Sequence, residues 1–323
     1  MKNLKISFLW TPHIQDYVIY NLIIKLSKKK IEIVSPEKSD LLIIGPYDLN
    51  SYKRKIYKSL KKSFFFKRIE DAFPNVDLYL LNRRIKPLRL FYCTEFHRHN
   101  VMKADFYISS NLGVADENHL RFPFWKDDLD WSQEGIIRDQ RVGNAKRFGS
   151  FHSIKKLTEP QEDSFLKKKR DICFFTSHLD EPRRSIYLKF KKNFKIDGYG
   201  SFFDKNIKNH NSSGVFKKDI MKNYAFNLCP ENQIYPGCFT EKILDAFLGG
   251  CLPISFMDSS VNIDFNKESF VNLQDYLKDN YDQIIELLKD EFFLKKFTKE
   301  PLLLNKPDLK AEILFVEKIL ENI

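Results

Sequence analysis

Two series of short apolar runs, separated by helix-length amphipathic stretches, constrain the fold of this chain more than any other feature. In the first half the runs fall at residues 5–10, 31–35, 40–45, 78–81, 88–93 and 105–109. Between the first two, residues 16–28 place Val18, Leu22, Ile23 and Leu26 on one helical face. The pattern restarts with strand candidates at 171–177, 224–229 and 251–256. A helix at 183–192 opens after Pro182, and a second at 240–248 stops at Gly249-Gly250. Two further helical patterns cover 273–288 and 307–320. Short buried strands alternating with helices require crossover connections and a parallel sheet. The expectation is α/β with two doubly wound, Rossmann-like halves, each presenting ligand-binding groups at the carboxyl ends of its strands.

The length of 323 residues suits two domains. Residues 126–161 are polar and lack a period, which puts the expected boundary near 160 and gives domains 1–160 and 161–323. The last helix is a candidate to pack back on the N-terminal domain. With 43% hydrophobic and 30% charged residues the chain reads as globular, not disordered. Only 11 glycines argue against a glycine-rich phosphate loop. The five cysteines are an odd number without a close CxxC pair, and several sit in apolar runs. They read as reduced and buried, hence a cytoplasmic protein. The first apolar stretch is broken by Pro12, His13 and Gln15, so it reads as a strand and not as a signal peptide, and no run of about 18 apolar residues occurs.

Lys and Arg number 54 against 43 Asp and Glu, a net charge of +11. Such a surplus favours anionic partners, although lysines spread along the chain are equally a solvated surface. A nucleic-acid-binding protein would need a basic stripe interleaved with exposed aromatics, or a known module; neither is visible. A peripheral contact with an anionic membrane surface is the milder expectation from the same charge.

The chemistry concentrates in residues 224–245. A strand runs into Cys229-Pro230-Glu231-Asn232, a loop carries Tyr235-Pro236-Gly237, and a helix starts near Thr240-Glu241-Lys242. Thr240 is an N-cap candidate. A lysine in the first turn opposes the helix dipole, which is understandable if an anion such as a diphosphate binds beside it. Glu241 could accept hydrogen bonds from ribose hydroxyls. An ordinary capped helix with solvated charges fits the same spacing. Upstream, the strand ending at Thr176-Ser177-His178 leads to Arg183-Arg184, a pair suited to phosphate oxygens and equally to a plain surface. A third segment, Phe91-Tyr92-Cys93-Thr94-Glu95-Phe96-His97-Arg98-His99, delivers a carboxylate just after a strand, where a general base could stand. His97 and His99 lack the Cys or carboxylate neighbours of a metal site, so acceptor contacts or plain surface histidines suit them better.

Asn227-Leu-Cys-Pro-Glu-Asn232, then Glu241-Lys242-Ile243, Asp245-Ala246 and Leu252-Pro253-Ile254, resembles the donor-site signature of the α1,3/4-fucosyltransferases, glycosyltransferase family 10. The likeness continues through Asp264-Phe-Asn and Ser269-Phe-Val-Asn272. It is weaker over 170–200 and 89–125 and absent before 85. The resemblance implies a GT-B fold with two domains facing across a cleft, the acceptor bound by the first and the nucleotide sugar by the second. It implies inverting transfer of L-fucose from GDP-fucose to a glycan hydroxyl, expected to be α1,3 on a GlcNAc-type residue of bacterial surface polysaccharide or lipopolysaccharide. By matching position Glu95 would be the catalytic base. Arg184, Asn232, Thr240, Glu241 and Lys242 would bind the donor, and His97 and His99 would be acceptor contacts. No metal or cofactor is required on this reading, with stimulation by a divalent cation left open. Thr94 replaces the family's usual glycine. Cys238 and Ser255-Phe256-Met257 also depart from the pattern, which keeps a GT-B transferase of another nucleotide sugar as the alternative.

Overall fold

The computed structural model describes residues 3–11, 17–46, 87–94, 103–162, 164–203 and 215–323. The strand candidate at 78–81 lies outside them, as do Glu95, His97 and His99. The chain divides into two compact units, Met1–Pro123 with Leu309–Ile323, and Phe124–Asp308.

The first unit holds an all-parallel sheet of β1 (Leu4–Leu9), β2 (Ile31–Ile33), β3 (Leu41–Ile44), β4 (Leu88–Cys93), β5 (Phe106–Ser109) and β6 (His119–Arg121). Their order is β2-β1-β3-β4-β5-β6. β3 is apolar on both faces and buried at every position, whereas β2 is a partly exposed edge. Helix α1 (Val18–Ser27) lies between β1 and β2, burying Val18, Ile19, Tyr20, Leu22 and Ile23. The terminal helix Lys310–Glu321 belongs to this unit. It buries Phe315, Val316 and Ile319, with Phe315 edge-on to Phe106 at 5.7 Å.

The second unit carries β7 (Ile172–Phe175), β8 (Ile196–Tyr199), β9 (Phe226–Leu228), β10 (Leu252–Ser255) and β11 (Val271–Asn272), all parallel, in the order β11-β10-β9-β7-β8. The chain leaves β7 to one side to form β8, then returns to the other side to form β9. The order therefore reverses between β7 and β9, and such a switch point opens a crevice at the carboxyl ends of those two strands. The helices that concern that end are α2 (Gly143–Phe148), α3 (Arg183–Lys191), α4 (Lys217–Met221) and α5 (Lys242–Leu248).

Two sequence expectations differ here. The division falls after Pro123, not near 160, because the polar stretch joins the second unit through buried polar bonds: Asn144 and His152 both reach Asp245 on α5. The helix expected over 273–288 is interrupted. A 3-10 turn, Leu273–Tyr276, is separated from the helix Asp282–Leu287 by Asn280 and Tyr281, both in left-handed backbone at φ 52° and 69°.

Candidate functional site

β7 delivers Thr176 and β9 delivers Glu231 on either side of the switch point. Thr176 is pinned by its N–H, which donates to the Tyr199 carbonyl at 2.9 Å, and its hydroxyl donates to the His178 carbonyl at 2.6 Å. α3 then starts at Arg183. Arg183, Ile186, Tyr187 and Phe190 form its buried stripe. Arg183 is thereby carried inward: it is 8% exposed and donates through Nη1 to Thr176 Oγ1 at 3.0 Å. Its Nε is buried without a hydrogen-bond partner. Burial lowers its pKa, opposed by Asp180 and by Glu231, so the guanidinium stands in the field of the β9 carboxylate. Arg184, the arginine that the resemblance implied, is exposed on the other side of the helix.

Beyond β9 the backbone stays against β10, with Cys229 N–H donating to Ile254 and Glu231 N–H to Phe256. This buries Glu231 to 2% exposure. Its Oε1 accepts from the Thr240 N–H at 2.8 Å and the Thr240 hydroxyl at 2.7 Å. Its Oε2 accepts from Lys242 Nζ at 2.7 Å, and Lys242 also donates to Thr240 Oγ1 at 2.8 Å. Thr240 is thus not the N-cap expected of it. Its hydroxyl is committed to Glu231, and α5 begins at Lys242 with Glu241 at the cap position. Burial alone would lower the Lys242 pKa, but Glu231 and Glu241 outweigh it and Arg183 opposes them only in part; the net shift is upward and the ammonium stays charged.

Glu241 is 9% exposed and makes no side-chain hydrogen bond among the described residues. Burial would raise its pKa, yet Lys242, Lys217 and Arg147 together bring it below the usual value, so it is ionised and available as an acceptor. Asn232 is exposed on the loop immediately after Glu231. Cys238, Ser255 and Met257, the departures from the family pattern, are each 1% exposed, and Ser255 Oγ donates to the Cys229 carbonyl at 2.8 Å.

One turn along α5, Asp245 is 1% exposed and accepts from Asn144 Nδ2 at 2.9 Å, His152 Nε2 at 2.8 Å and Lys217 Nζ at 2.7 Å. Burial would raise its pKa, but Lys217 and His152 depress it strongly. Asp128 nearby is pushed the other way by burial and by Glu241, Asp245 and Asp127.

The structure therefore brings Thr240, Glu241 and Lys242 together with Arg183 and Glu231. Arg184 and Asn232 are exposed, and Glu95, His97 and His99 lie outside the described residues. Among the described residues no group of three His, Cys, Asp or Glu side chains could hold a metal ion, and no helix is long and apolar enough to cross a membrane. Glu231 and Asp245 lie inside the resembling signature, but their spacing assigned neither a role. Arg183 was read as half of a phosphate-suited pair, and its sharing the helical spacing of Ile186, Tyr187 and Phe190 could have marked it as the inward arginine.

Two parallel sheets, with a pair of cations and a free carboxylate at the switch point of the second, define a GT-B-type α/β fold with a polar crevice. The fold matches a crystal structure of alpha1,3-fucosyltransferase with a TM-score of 0.66 at 22% identity, covering 99% of this chain and 90% of that one. A crystal structure of alpha1,3-fucosyltransferase with GDP-fucose matches over the same extents with a TM-score of 0.64. The alpha-(1,3)-fucosyltransferase FucT of Helicobacter pylori is 27% identical over 216 residues, which are 62% of this chain and 43% of that protein, so the match spans less than half of that relative. Residues 165–298 match the model of "Glycosyltransferase family 10 (fucosyltransferase) C-term". That matched stretch is less than half of the chain, and all five clustered residues fall within it.

Proposed function

We propose that this chain transfers L-fucose from GDP-fucose to a hydroxyl of a glycan acceptor, with inversion at the anomeric carbon. The observation that carries the reading is the convergence of Arg183, Lys242 and the unpartnered Glu241 inside a segment that matches the family 10 model. Arg183 and Lys242 would grip the diphosphate and offset the charge that develops as GDP leaves. Glu241 would accept from the ribose hydroxyls, and Asn232 would border the donor from its exposed loop. Glu95 follows β4 by two residues and is proposed as the base, with His97 and His99 as acceptor contacts. It would take the proton of the acceptor hydroxyl while that oxygen attacks C1 from the face opposite GDP. The C1–oxygen bond to the diphosphate then breaks, and GDP departs with its electron pair.

Protein cations supply the charge that a metal would otherwise supply, so the reaction is proposed to need none, and addition of a divalent ion would at most stimulate it. The acceptor is proposed to be a GlcNAc-type residue of bacterial surface polysaccharide or lipopolysaccharide, fucosylated in α1,3 linkage on the cytoplasmic side, with the surplus of basic residues favouring an anionic membrane surface. Incubation with GDP-fucose and a panel of acceptor glycans, read by mass spectrometry of the product, tests the proposal. A fucosylated acceptor with released GDP is expected. Transfer from UDP-sugars but not from GDP-fucose would overturn it.

A further inference from the structure

We propose that Glu231 is a positioning residue for the donor: its carboxylate clamps Lys242 and Thr240 so that one ammonium N–H of Lys242 is aimed in a fixed geometry for the diphosphate. The inference rests on the donor-site reading above.

Both oxygens of Glu231 are used, Oε1 by the Thr240 N–H and hydroxyl, and Oε2 by Lys242. With 2% exposure, it has no room to act as acid, base or metal ligand. The three groups close a ring, since Lys242 also donates to Thr240 Oγ1. An ammonium has three donors, so this ring consumes two and leaves the third. Lysine is otherwise a flexible cation with many rotamers, so a held lysine meets its ligand already ordered.

Net charge makes the geometry matter. Lys242 stands in the field of Glu231 and Glu241, and Arg183 in that of Asp180 and Glu231. Their charge is thus partly offset before any ligand arrives, so charge alone does not fix how a diphosphate is met. What remains is the direction of particular donors: the third N–H of Lys242 and the unpartnered Nε of Arg183. A clamp that fixes one of them acts on transfer more than on binding. Among the charged groups facing Lys242, Glu231 and Glu241 hold it protonated against burial and against Arg183.

The test compares Glu231→Gln, Lys242→Ala and the double variant of the full chain, measuring melting temperature, GDP affinity against pH, and kcat and KM for GDP-fucose. E231Q is expected to lower kcat by about 10–100-fold with a smaller change in KM. It should also move the alkaline loss of GDP affinity to lower pH. On the K242A background, E231Q should add less than about a threefold loss, because residues that act as a unit are not additive. If E231Q melts too low to assay, Thr240→Val removes the hydroxyl leg, keeps both charges, and should cost several-fold in kcat only while Lys242 is present. Equal losses with and without Lys242, or wild-type kinetics in E231Q and T240V beside an impaired K242A, would overturn the inference alone. An unimpaired K242A would overturn the donor-site reading, and the inference with it.

Discussion

Lys217 Nζ donates to Asp245 Oδ2 at 2.7 Å, with both residues buried, one turn of helix away from Lys242. The pair ties α4 to α5, and the other Asp245 oxygen ties in Asn144 and His152. Lys242 and the cap residue Glu241 therefore stand at the start of a helix whose first turn is held by a buried polar network, in which both Asp245 oxygens are used and only His152 Nδ1 lacks a partner among the described residues.

Removing Asp245 should be costly. Asp245→Ala leaves a buried ammonium without its counter-charge, and a loss of about 3–5 kcal/mol is expected in denaturant unfolding. The pH dependence follows from the depressed carboxylate. The folded value lies below the unfolded one, so the stabilisation is complete above the unfolded value and is lost as the pH falls through the folded one. The wild type should lose stability on acidification below about pH 4, and Asp245→Asn should show a shallower acid limb. An acid limb of equal steepness in both would contradict the role.

Asp128 predicts the reverse. Burial and three neighbouring carboxylates raise its pKa, and its Oδ2 is buried with no partner. A carboxyl whose folded value is raised favours folding at low pH and costs stability as pH rises from the unfolded value to the folded one. Asp128→Asn removes that cost. It should leave the melting temperature at neutral pH unchanged or higher, whereas a drop of several degrees would show that an ionised Asp128 is needed.

Arg183 and Arg184 separate cleanly. Arg183→Ala should weaken GDP binding by about 10–100-fold, the value of one charge-assisted contact. Arg184→Ala should change it by less than about twofold, since exposed charges contribute little. Calorimetric titration of the two variants decides which arginine faces the donor, and the opposite ranking would restore the assignment implied by the family resemblance.

Gly200 supports the same arginine from behind. It adopts φ +103°, and a Cβ there would lie 2.5 Å from the Thr176 carbonyl oxygen. Gly200→Ala should destabilise by about 2–4 kcal/mol. It should also weaken GDP binding by displacing Thr176, which anchors Arg183. Unaltered GDP affinity in a folded variant would uncouple the two.

Most of the sheet framework could be read from the residues. Apolar runs gave β1, β3, β4, β5, β7, β9 and β10 because parallel strands are buried on both faces. Short or mixed strands such as β6 and β8 lacked that signature. The helix expected over 273–288 failed at Asn280-Tyr281, where apolar spacing continues through a left-handed break that the pattern cannot register. Lys242 and Glu241 stood out because a charge at a helix start is conspicuous. Glu231 lay inside the resembling segment without a role, since a carboxylate in a turn looks solvated until Thr240 and Lys242 fold onto it. Residues 126–161 looked like a linker for the same reason: their anchors, Asn144 and His152, are polar and carry no hydrophobic period.

Arg183 and Lys242 are the proposed base of the GDP-fucose site. Equilibrium titration of the wild-type chain and of Lys242→Ala with GDP-fucose, GDP-mannose and a UDP-sugar tests it most directly. Saturable binding that prefers GDP-fucose, weakened by about 10–100-fold in K242A, is the predicted result. Tighter binding of the UDP-sugar, or GDP-fucose binding that K242A leaves unchanged, would contradict it.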